Sequence, residues 1–183
     1  MVLKGPWYRI NMRYLIVLLG LLIVTFFGTD QGKAPKEKPV HDFDSNRTYL
    51  VLAAIDGDTL IIETETGEEK VRLIGIDTPE VDPARGGPEC YGIEASKRTK
   101  ELTSQKSVTI ELDESQGMRD TYGRLLAYVR LPDGSLLNEV LVAEGFAREY
   151  TYNQPYRYQK ELKQAQKLSQ SEKSGLWADC LDN

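Results

Sequence analysis

The chain has 183 residues, of which 40% are apolar and 28% are charged, and its formal net charge at pH 7 is −5. This length suits one domain with its own core, and the acidic balance excludes a protein that binds nucleic acid through an overall basic surface. The only histidine is His41, which excludes a histidine-based catalytic triad, and two cysteines are too few for a usual four-ligand zinc site.

The N-terminus combines basic residues with an apolar run. Three basic residues within positions 1–13 precede an uncharged stretch at 14–28, and no acidic residue occurs before Asp30. This order is typical of an export signal. We therefore expect residues 1–28 to be a cleaved signal peptide or an uncleaved signal anchor, because the run is short for a membrane span and shows no clear cleavage site. A buried core helix is the third reading, and the lack of a polar face argues against it.

A polar segment follows the apolar run. Residues 29–46 are rich in lysine and proline, which predicts a solvated tether, and the folded domain is expected at 47–179 with a tail at 180–183. Without the leader, 20 basic residues face 28 acidic ones, a formal charge of −8, so contact with nucleic acid must be local and supported by bound cations. We expect a monomer outside the cytoplasm, secreted or held at the membrane by its N-terminal segment.

The folded segment predicts five strands and about three helices. Aliphatic and β-branched residues separated by Asp-Gly and Thr-Gly turns predict strands at 49–55, 59–63 and 70–76, and two more follow at 107–112 and 124–131. Helical patterns occupy 92–105, the stretch from Leu137 towards Gly145, and 155–174. Strands with helices inserted after the third and fifth predict an α+β fold, a five-stranded OB-type β-barrel.

Acidic residues gather where two of these strands meet turns. Asp56-Gly57-Asp58-Thr59 lies between the first two strands, and Asp77-Thr78-Pro79-Glu80 follows the third. Each motif alone is also typical of an ordinary solvated turn. Arg72 changes this interpretation, because an arginine in the middle of an apolar strand must meet water in a cleft or an anion.

If the two acidic turns meet, Asp58 and Asp77 offer hard oxygen ligands to one divalent cation, with a backbone carbonyl and waters completing its shell. Calcium suits such ligands better than zinc does. Glu80 would orient a water beside the metal or take a proton from it. Arg72 and a second arginine would hold the free oxygens of a phosphodiester as charge builds up on them.

Five motifs lie in order along the domain. They are Ile55-Asp56-Gly57-Asp58-Thr59, Arg72-Leu73 followed by Asp77-Thr78-Pro79-Glu80, Tyr91-Gly92 with Glu94-Ala95-Ser96, Tyr122-Gly123-Arg124 with Ala127-Tyr128, and Asn138-Glu139 with Leu141-Val142 and Gly145. In order and spacing they resemble the staphylococcal nuclease, or thermonuclease, family. The resemblance covers about residues 51–177, and five ordered motifs are far more specific than any one of them.

The resemblance implies a calcium-dependent endo- and exonuclease that cuts DNA and RNA and leaves 3′-phosphates. It implies that the carboxylates of Asp58 and Asp77 bind the calcium ion, together with the backbone carbonyl of Thr78. It further implies that Glu80 activates or positions the attacking water.

The remaining implied roles concern the substrate. By the same resemblance, Arg72 and Arg124 bind the scissile phosphate, and Asp56 helps to arrange the site. The residues implied to pack against the nucleotide and hydrogen-bond to it are Tyr122, Tyr150 and Tyr152. Core packing is the alternative role for these tyrosines, since most aromatic side chains serve the core.

The sequence also departs from the family pattern. Thr121 stands where the staphylococcal pattern has a lysine, and Arg85 is the only basic residue in the usually lysine-rich loop at 81–89. These positions touch substrate phosphates, so we expect weaker nucleotide affinity with catalysis retained. Glu94 and Glu139 belong to the shared motifs, yet we expect structural roles for them as acids at helix N-termini.

Two other functions fit part of the pattern. The barrel is reused for binding, so a catalytically silent nucleic-acid-binding module is one alternative. An exported calcium-binding structural domain is the other. Retention of both aspartates, both arginines and Glu80 argues against the first, and the two arginines would have no use in the second.

The two cysteines predict one disulfide. An export signal favours a bond between Cys90 and Cys180 over two free thiols in a reducing compartment. The bond would pin the tail of the chain to the base of the loop that follows Glu80, and closing a loop of this length is worth about 4 to 5 kcal/mol. The staphylococcal pattern has no cysteine, so this expectation rests on position alone.

Overall fold

The computed structural model describes residues 43–44, 46–82 and 86–180. The predicted leader at 1–28, most of the predicted tether and the last three residues lie outside the described residues. Within the described part, no helix is both long and apolar enough to cross a membrane.

Seven strands and four helices occur in the described residues. The strands are β1 (Thr48–Ala54), β2 (Thr59–Thr64), β3 (Gly67–Leu73), β4 (Ile76–Asp77), β5 (Ser107–Glu111), β6 (Leu125–Arg130) and β7 (Arg148–Glu149). The helices are α1 (Gly92–Thr103), α2 (Leu137–Ala143), α3 (Gln159–Ser171) and α4 (Leu176–Asp179), with a short 3₁₀ turn at Glu114–Gln116.

Five strands close into a barrel in the order β1-β2-β3-β6-β5. All neighbours are antiparallel except β3 and β6, which run parallel, and pairing of β5 with β1 completes the barrel. Alternate residues of each strand point inward, as the period of two requires, and side chains such as Leu60, Ile62 and Val71 are fully buried. The predicted α+β fold with a five-stranded OB-type barrel is confirmed.

The third strand differs from the prediction. The sequence predicts one strand at 70–76, whereas β3 ends at Leu73 and β4 pairs separately with β7. Gly75 has φ 79°, a left-handed conformation that breaks the strand. Arg72 donates Nη1 hydrogen bonds to the carbonyls of Leu73 (3.0 Å) and Ile76 (2.9 Å) and so stabilises this turn. Because of this break, β4, which carries Asp77, is not a continuation of β3 and pairs with β7 instead.

The helices occur near their predicted places with shorter bounds. Helix α1 ends at Thr103 instead of 105, because Gln105 has a left-handed φ of 59°. Helix α3 starts at Gln159 instead of 155, because Tyr156 is buried ahead of it and donates to Glu149 Oε1 at 2.8 Å. Helix α4 is an addition that the sequence pattern does not predict.

Helix α2 is tied to the barrel by a buried amide. Asn138 accepts a hydrogen bond from the backbone N–H of Val129 (3.1 Å) and donates one to the carbonyl of Ile74 (2.8 Å). Its side chain therefore links α2 both to β6 and to the turn between β3 and β4. Through this turn, α2 helps to fix the strand that bears Asp77.

Candidate active site

Asp58 lies at the centre of the acidic cluster and is only 6% exposed. Its Oδ2 accepts hydrogen bonds from the N–H (3.0 Å) and the hydroxyl (3.2 Å) of Thr78, and its Oδ1 accepts one from Thr59 Oγ1 (3.2 Å). Asp56 supports the turn by accepting the N–H of Asp58 at 3.0 Å. The two acidic turns therefore meet in the folded chain, joined through Asp58 and Thr78.

The turn that carries Asp58 approaches its neighbours closely. A Cβ atom at Gly57 would lie 2.6 Å from Thr78 Oγ1, so glycine is required for the two turns to touch. The carbonyl of Gly57 also accepts a hydrogen bond from the buried hydroxyl of Thr99 at 2.7 Å, which ties α1 to the same turn. The position of Asp58 is therefore fixed from two sides.

Arg72 faces both predicted metal carboxylates. Its Nη2 lies 3.0 Å from Asp58 Oδ2 and 3.0 Å from Asp77 Oδ1, and its side chain is 14% exposed. Its Nη1 is held by the two backbone carbonyls of the β3–β4 turn. The sequence predicts that Arg72 meets either water in a cleft or an anion, and in the structure it meets two carboxylates.

Burial raises the pKa of Asp58. Desolvation raises the pKa of this carboxyl from 3.8 to about 6, although Arg72 and the N–H of Thr78 lower it, and the nearby carboxylates of Asp56 and Asp77 raise it again. Asp58 and Asp77 thus share one guanidinium, with the carboxylate of Asp56 nearby, and the site favours an added positive charge.

The donor set suits a hard cation, because it offers only oxygen atoms. Among the described residues, no three Asp, Glu, His or Cys side chains are grouped so that they would hold a metal ion by themselves. A cation bound by Asp58 and Asp77 would therefore complete its shell with carbonyl oxygens and water. This is the arrangement that the sequence predicts for these two residues with Thr78.

Arg124, the residue directly before β6, reaches the same cluster. Its Nε donates to Asp120 Oδ2 at 2.6 Å and its Nη1 donates to Thr59 Oγ1 at 3.2 Å. The parallel pairing of β3 with β6 places Arg72 opposite Leu126, two residues beyond Arg124. Both arginines therefore converge on Asp58, Arg72 directly and Arg124 through the hydroxyl of Thr59.

Glu80 follows the cluster two residues after Thr78 and is partly buried. Its backbone N–H donates to Glu89 Oε2 (3.0 Å), and its carbonyl accepts the N–H of Glu89 (2.8 Å). The backbone of Glu80 is thus held on both sides by one residue. These two hydrogen bonds fix the backbone position from which the side chain of Glu80 extends.

Comparison with known proteins identifies the group to which this chain belongs. Residues 70–179 match the family described as staphylococcal nuclease homologue. The thermonuclease of Staphylococcus hyicus is 35% identical over 172 residues, which is 93% of this chain and 99% of that protein. The chain belongs to the staphylococcal nuclease family.

Two other members of the family are similarly close. The thermonuclease of Staphylococcus intermedius is 37% identical over 162 residues, covering 88% of this chain and 94% of that protein. The endonuclease YncB of Bacillus subtilis is 37% identical over 126 residues, covering 68% of this chain and 59% of that protein.

The three predicted substrate tyrosines of this family member are at the surface. Tyr122 is 83% exposed, Tyr150 47% and Tyr152 72%, so the alternative of core packing is wrong for all three. The ring of Tyr122 lies 5.5 Å from the guanidinium carbon of Arg124. The rings of Tyr150 and Tyr152 are 6.3 Å apart, and the N–H of Tyr150 donates to the carbonyl of Gly75 at 2.9 Å, beside β4.

Two residues of the site are missed by sequence reasoning. Thr59 is 2% exposed and joins Asp58 to Arg124 through one hydroxyl. Asp120 accepts the N–H groups of Tyr122 and Arg124, both at 2.9 Å, as well as the guanidinium of Arg124. An Asp ahead of a glycine turn is the available signal for Asp120, because Asp often bonds the backbone two residues on.

The family motifs also contain residues outside the cluster. Glu94 and Glu139 lie in the first turns of α1 and α2, where acids interact favourably with the helix dipole. Arg85 lies outside the described residues. Cys90 and Cys180 form the predicted disulfide, with Cα atoms 5.9 Å apart.

Proposed function

We propose that this chain is a nuclease that hydrolyses phosphodiester bonds of DNA and RNA, depends on calcium and leaves 3′-phosphates. The observation that carries the proposal is the convergence of Arg72 and Arg124 on the buried carboxylate of Asp58. Cations that recognise phosphate lie there beside oxygens that suit a divalent metal. The names of relatives, thermonuclease and endonuclease, support the same activity.

The carboxylates of Asp58 and Asp77, with the carbonyl of Thr78, would hold the calcium ion. Bound there, the ion would neutralise charge on a phosphate and act as a Lewis acid. Asp56 raises the negative charge near Asp58 and holds its N–H, so it supports this site without being assigned as a ligand.

The two arginines are proposed to hold the scissile phosphate. In the structure their donors are taken up by carboxylates, a hydroxyl and backbone carbonyls. A phosphate that enters would replace part of these contacts with its own oxygens. Donors already fixed in place stabilise the charge that develops on those oxygens without further reorganisation.

Glu80 is proposed to position the attacking water and accept its proton. The water oxygen bonds to phosphorus, the bond from phosphorus to the 5′ oxygen breaks, and that oxygen takes up a proton from solvent and leaves as a hydroxyl. The phosphate stays on the 3′ oxygen. A carboxylate in this role contributes roughly 10²- to 10⁴-fold to the rate.

The surface tyrosines are proposed to bind the nucleotide. Exposed rings beside a phosphate site stack on bases, and stacking needs bases that are not paired, so single-stranded or unwound substrates are favoured. Tyr122 stands beside Arg124, while Tyr150 and Tyr152 stand near the strand of Asp77.

We also propose that the protein is a monomer that acts outside the cytoplasm, secreted or anchored to the membrane through residues 1–28. The disulfide supports the location, because such bonds persist in oxidising compartments.

The test is cleavage of denatured DNA and of RNA by the full purified chain, first with calcium and then with a calcium chelator. We expect cleavage with calcium, none with the chelator, and products that carry 3′-phosphate and 5′-hydroxyl ends. Glu80→Gln protein purified in the same way controls for a contaminating nuclease. DNA binding without cleavage would overturn the proposal in favour of the catalytically silent binding module.

A further inference from the structure

Glu89 holds the backbone of Glu80 at two points. Its carboxylate accepts the N–H of Glu80 at 3.0 Å, and its own N–H donates to the carbonyl of Glu80 at 2.8 Å. The backbone at the start of α1 lies close to the same carbonyl. A Cβ atom at Gly92 would lie only 2.4 Å from its oxygen, so glycine is needed there. Gly92 also donates its N–H to the carbonyl of Glu89 at 2.9 Å. Glu80, Glu89 and Gly92 therefore form one tight backbone cluster.

The next residue after Glu89 is a disulfide cysteine. Cys90 is bonded to Cys180, which is 90 residues further along the chain. Cys90 and Glu89 are both exposed, so burial does not hold Glu89 in place. The disulfide is the covalent restraint nearest to the two hydrogen bonds that Glu89 makes to Glu80.

The other end of the disulfide is anchored in the body of the domain. Helix α4 begins at the buried Leu176, whose N–H donates to the carbonyl of Gly145 at 2.9 Å. A Cβ atom at Gly145 would lie 2.2 Å from the carbonyl oxygen of Ser174, so the two segments touch backbone to backbone. Cys180 caps α4 by donating its N–H to the carbonyl of Leu176 at 3.1 Å. A fixed element therefore holds the sulfur that restrains Cys90.

We propose that Glu89 is a positioning residue for Glu80 and that the Cys90–Cys180 bond keeps Glu89 in that position, so that turnover depends on the oxidation state of this bond. The inference rests on the proposed role of Glu80. A displacement on the order of 1 Å at a catalytic group lowers the rate up to about a hundredfold. A disulfide that only stabilised the fold would change the unfolding temperature and leave the turnover of the folded protein as it is.

Substitution of Glu89 tests the positioning with the disulfide intact. Glu89→Ala removes the acceptor for the N–H of Glu80, and we expect kcat to fall roughly ten- to a hundredfold with KM for DNA and calcium affinity unchanged. Glu89→Gln keeps an acceptor oxygen and is expected to restore most of the loss. Glu172→Ala, an exposed acid at the end of α3, is the matched control and is expected to behave as wild type. Equal kcat in the Ala variant and the wild type would overturn the proposal.

Hydrogen exchange of the Glu80 amide gives a readout independent of activity. This amide is expected to exchange faster in Glu89→Ala than in wild type, because its hydrogen bond is lost. Unchanged exchange would overturn the positioning role even if turnover fell. If the oxidised wild type cleaves no nucleic acid at all, the proposed function fails, while the exchange rates still decide whether Glu89 holds Glu80.

Reduction tests the second half of the proposal. A dithiol reductant gives two electrons and two protons to the bond, yields two thiols, and is itself oxidised to a disulfide. We expect the reduced protein and the Cys90→Ser/Cys180→Ser variant to show the same lower kcat, faster exchange at Glu80, and unchanged KM, at a temperature where circular dichroism shows both to be folded. Full turnover in the folded, reduced protein would overturn the dependence on the disulfide. Should both forms unfold, the Glu89 variants still decide the positioning role.

Discussion

Two aspartates at different places of the barrel are equally inaccessible to solvent, and the pKa values of their carboxyls shift in opposite directions. Asp58 and Asp113 are each 6% exposed. Burial raises the pKa of both carboxyls, but at Asp113 the N–H of Arg157, the hydroxyl and N–H of Ser115 and the hydroxyl of Tyr128 outweigh it and lower the pKa. At Asp58 the donors do not outweigh burial, and the pKa rises to about 6.

The difference lies in the stronger desolvation of the Asp58 carboxyl and in the charges beside it, because Asp58 also accepts hydrogen bonds. Asp113 accepts four hydrogen bonds of 2.8 to 3.1 Å, which come from Ser115, Tyr128 and Arg157. Asp58 shares Arg72 with Asp77 and has Asp56 beside it. The hydrogen bonds to the carboxylate of Asp113 therefore keep it ionised and stabilise the fold. The carboxylate of Asp58 lies beside two further carboxylates with one guanidinium among them, so an added cation is favourable there, as at a functional site.

The largest expected effect is on turnover, which should fall when an arginine beside Asp58 is removed but not when one beside Asp113 is removed. We expect Arg124→Ala, next to Asp58, to lower turnover by about two to three powers of ten, the loss typical for one fixed donor to a developing oxyanion. Arg157→Ala, next to Asp113, removes a side chain of the same charge and is expected to leave turnover unchanged. Folding of both is followed by circular dichroism. Normal turnover in Arg124→Ala would remove this arginine from the phosphate site.

The next effect is on the free energy of unfolding, to which we expect Asp113 to contribute. Asp113→Ala leaves the buried hydroxyl of Tyr128 and the N–H of Arg157 without their acceptor, and we expect a loss of about 2 to 4 kcal/mol in the free energy of unfolding. Urea denaturation measures the change. The folded variant should keep its turnover, because Asp113 lies outside the proposed catalytic set. A stability equal to that of wild type would mean that these hydrogen bonds contribute nothing to the fold.

A smaller effect concerns pH in the metal-free protein. The pKa of Asp58 is raised in the folded chain, so its contribution to stability is fully present below about 3.8 and is lost as pH rises through about 6. At about 1.4 kcal/mol for each pH unit, this loss is on the order of 2 to 3 kcal/mol. The lowered pKa of Asp113 acts in the opposite sense, because its contribution is present above the unfolded value and is lost on acidification.

Asp58→Asn isolates the part due to Asp58. With a chelator present, we expect its stability relative to wild type to increase between pH 4 and pH 6, since both proteins keep Asp113 and differ only in this titration. Urea denaturation at each pH gives the difference. A stability difference that does not change with pH would show that the pKa of Asp58 is not raised.

The barrel and the acidic cluster can be predicted from the sequence, whereas the surroundings of Asp113 cannot. The barrel follows from alternating apolar residues, and the acidic cluster follows from two acid-rich turns with an arginine inside a strand. Asp113 carries no such signal, because its partners Tyr128 and Arg157 lie 15 and 44 residues away and meet it only in the folded barrel. The break after Leu73 is missed for a related reason, since it depends on Gly75 and on a side chain bonding to carbonyls across the turn.

The smallest expected effect concerns Thr59, which lies between the two charged partners of the site. Its hydroxyl donates to Asp58 Oδ1 and accepts from Arg124 Nη1, both at 3.2 Å. Thr59→Val keeps the shape and removes this link, so Arg124 loses one of its two side-chain acceptors. We expect kcat to fall about tenfold, less than on removal of Arg124 itself, with stability changed by about 1 kcal/mol or less.

Thr59→Ser restores the hydroxyl and is expected to recover most of the turnover, which a role in packing alone would not produce, because serine lacks the methyl group. Separate measurement of kcat and KM on denatured DNA distinguishes the two variants. If valine at this position supports wild-type turnover, Asp120 alone is sufficient to orient Arg124, and Asp58 and Arg124 act independently of each other.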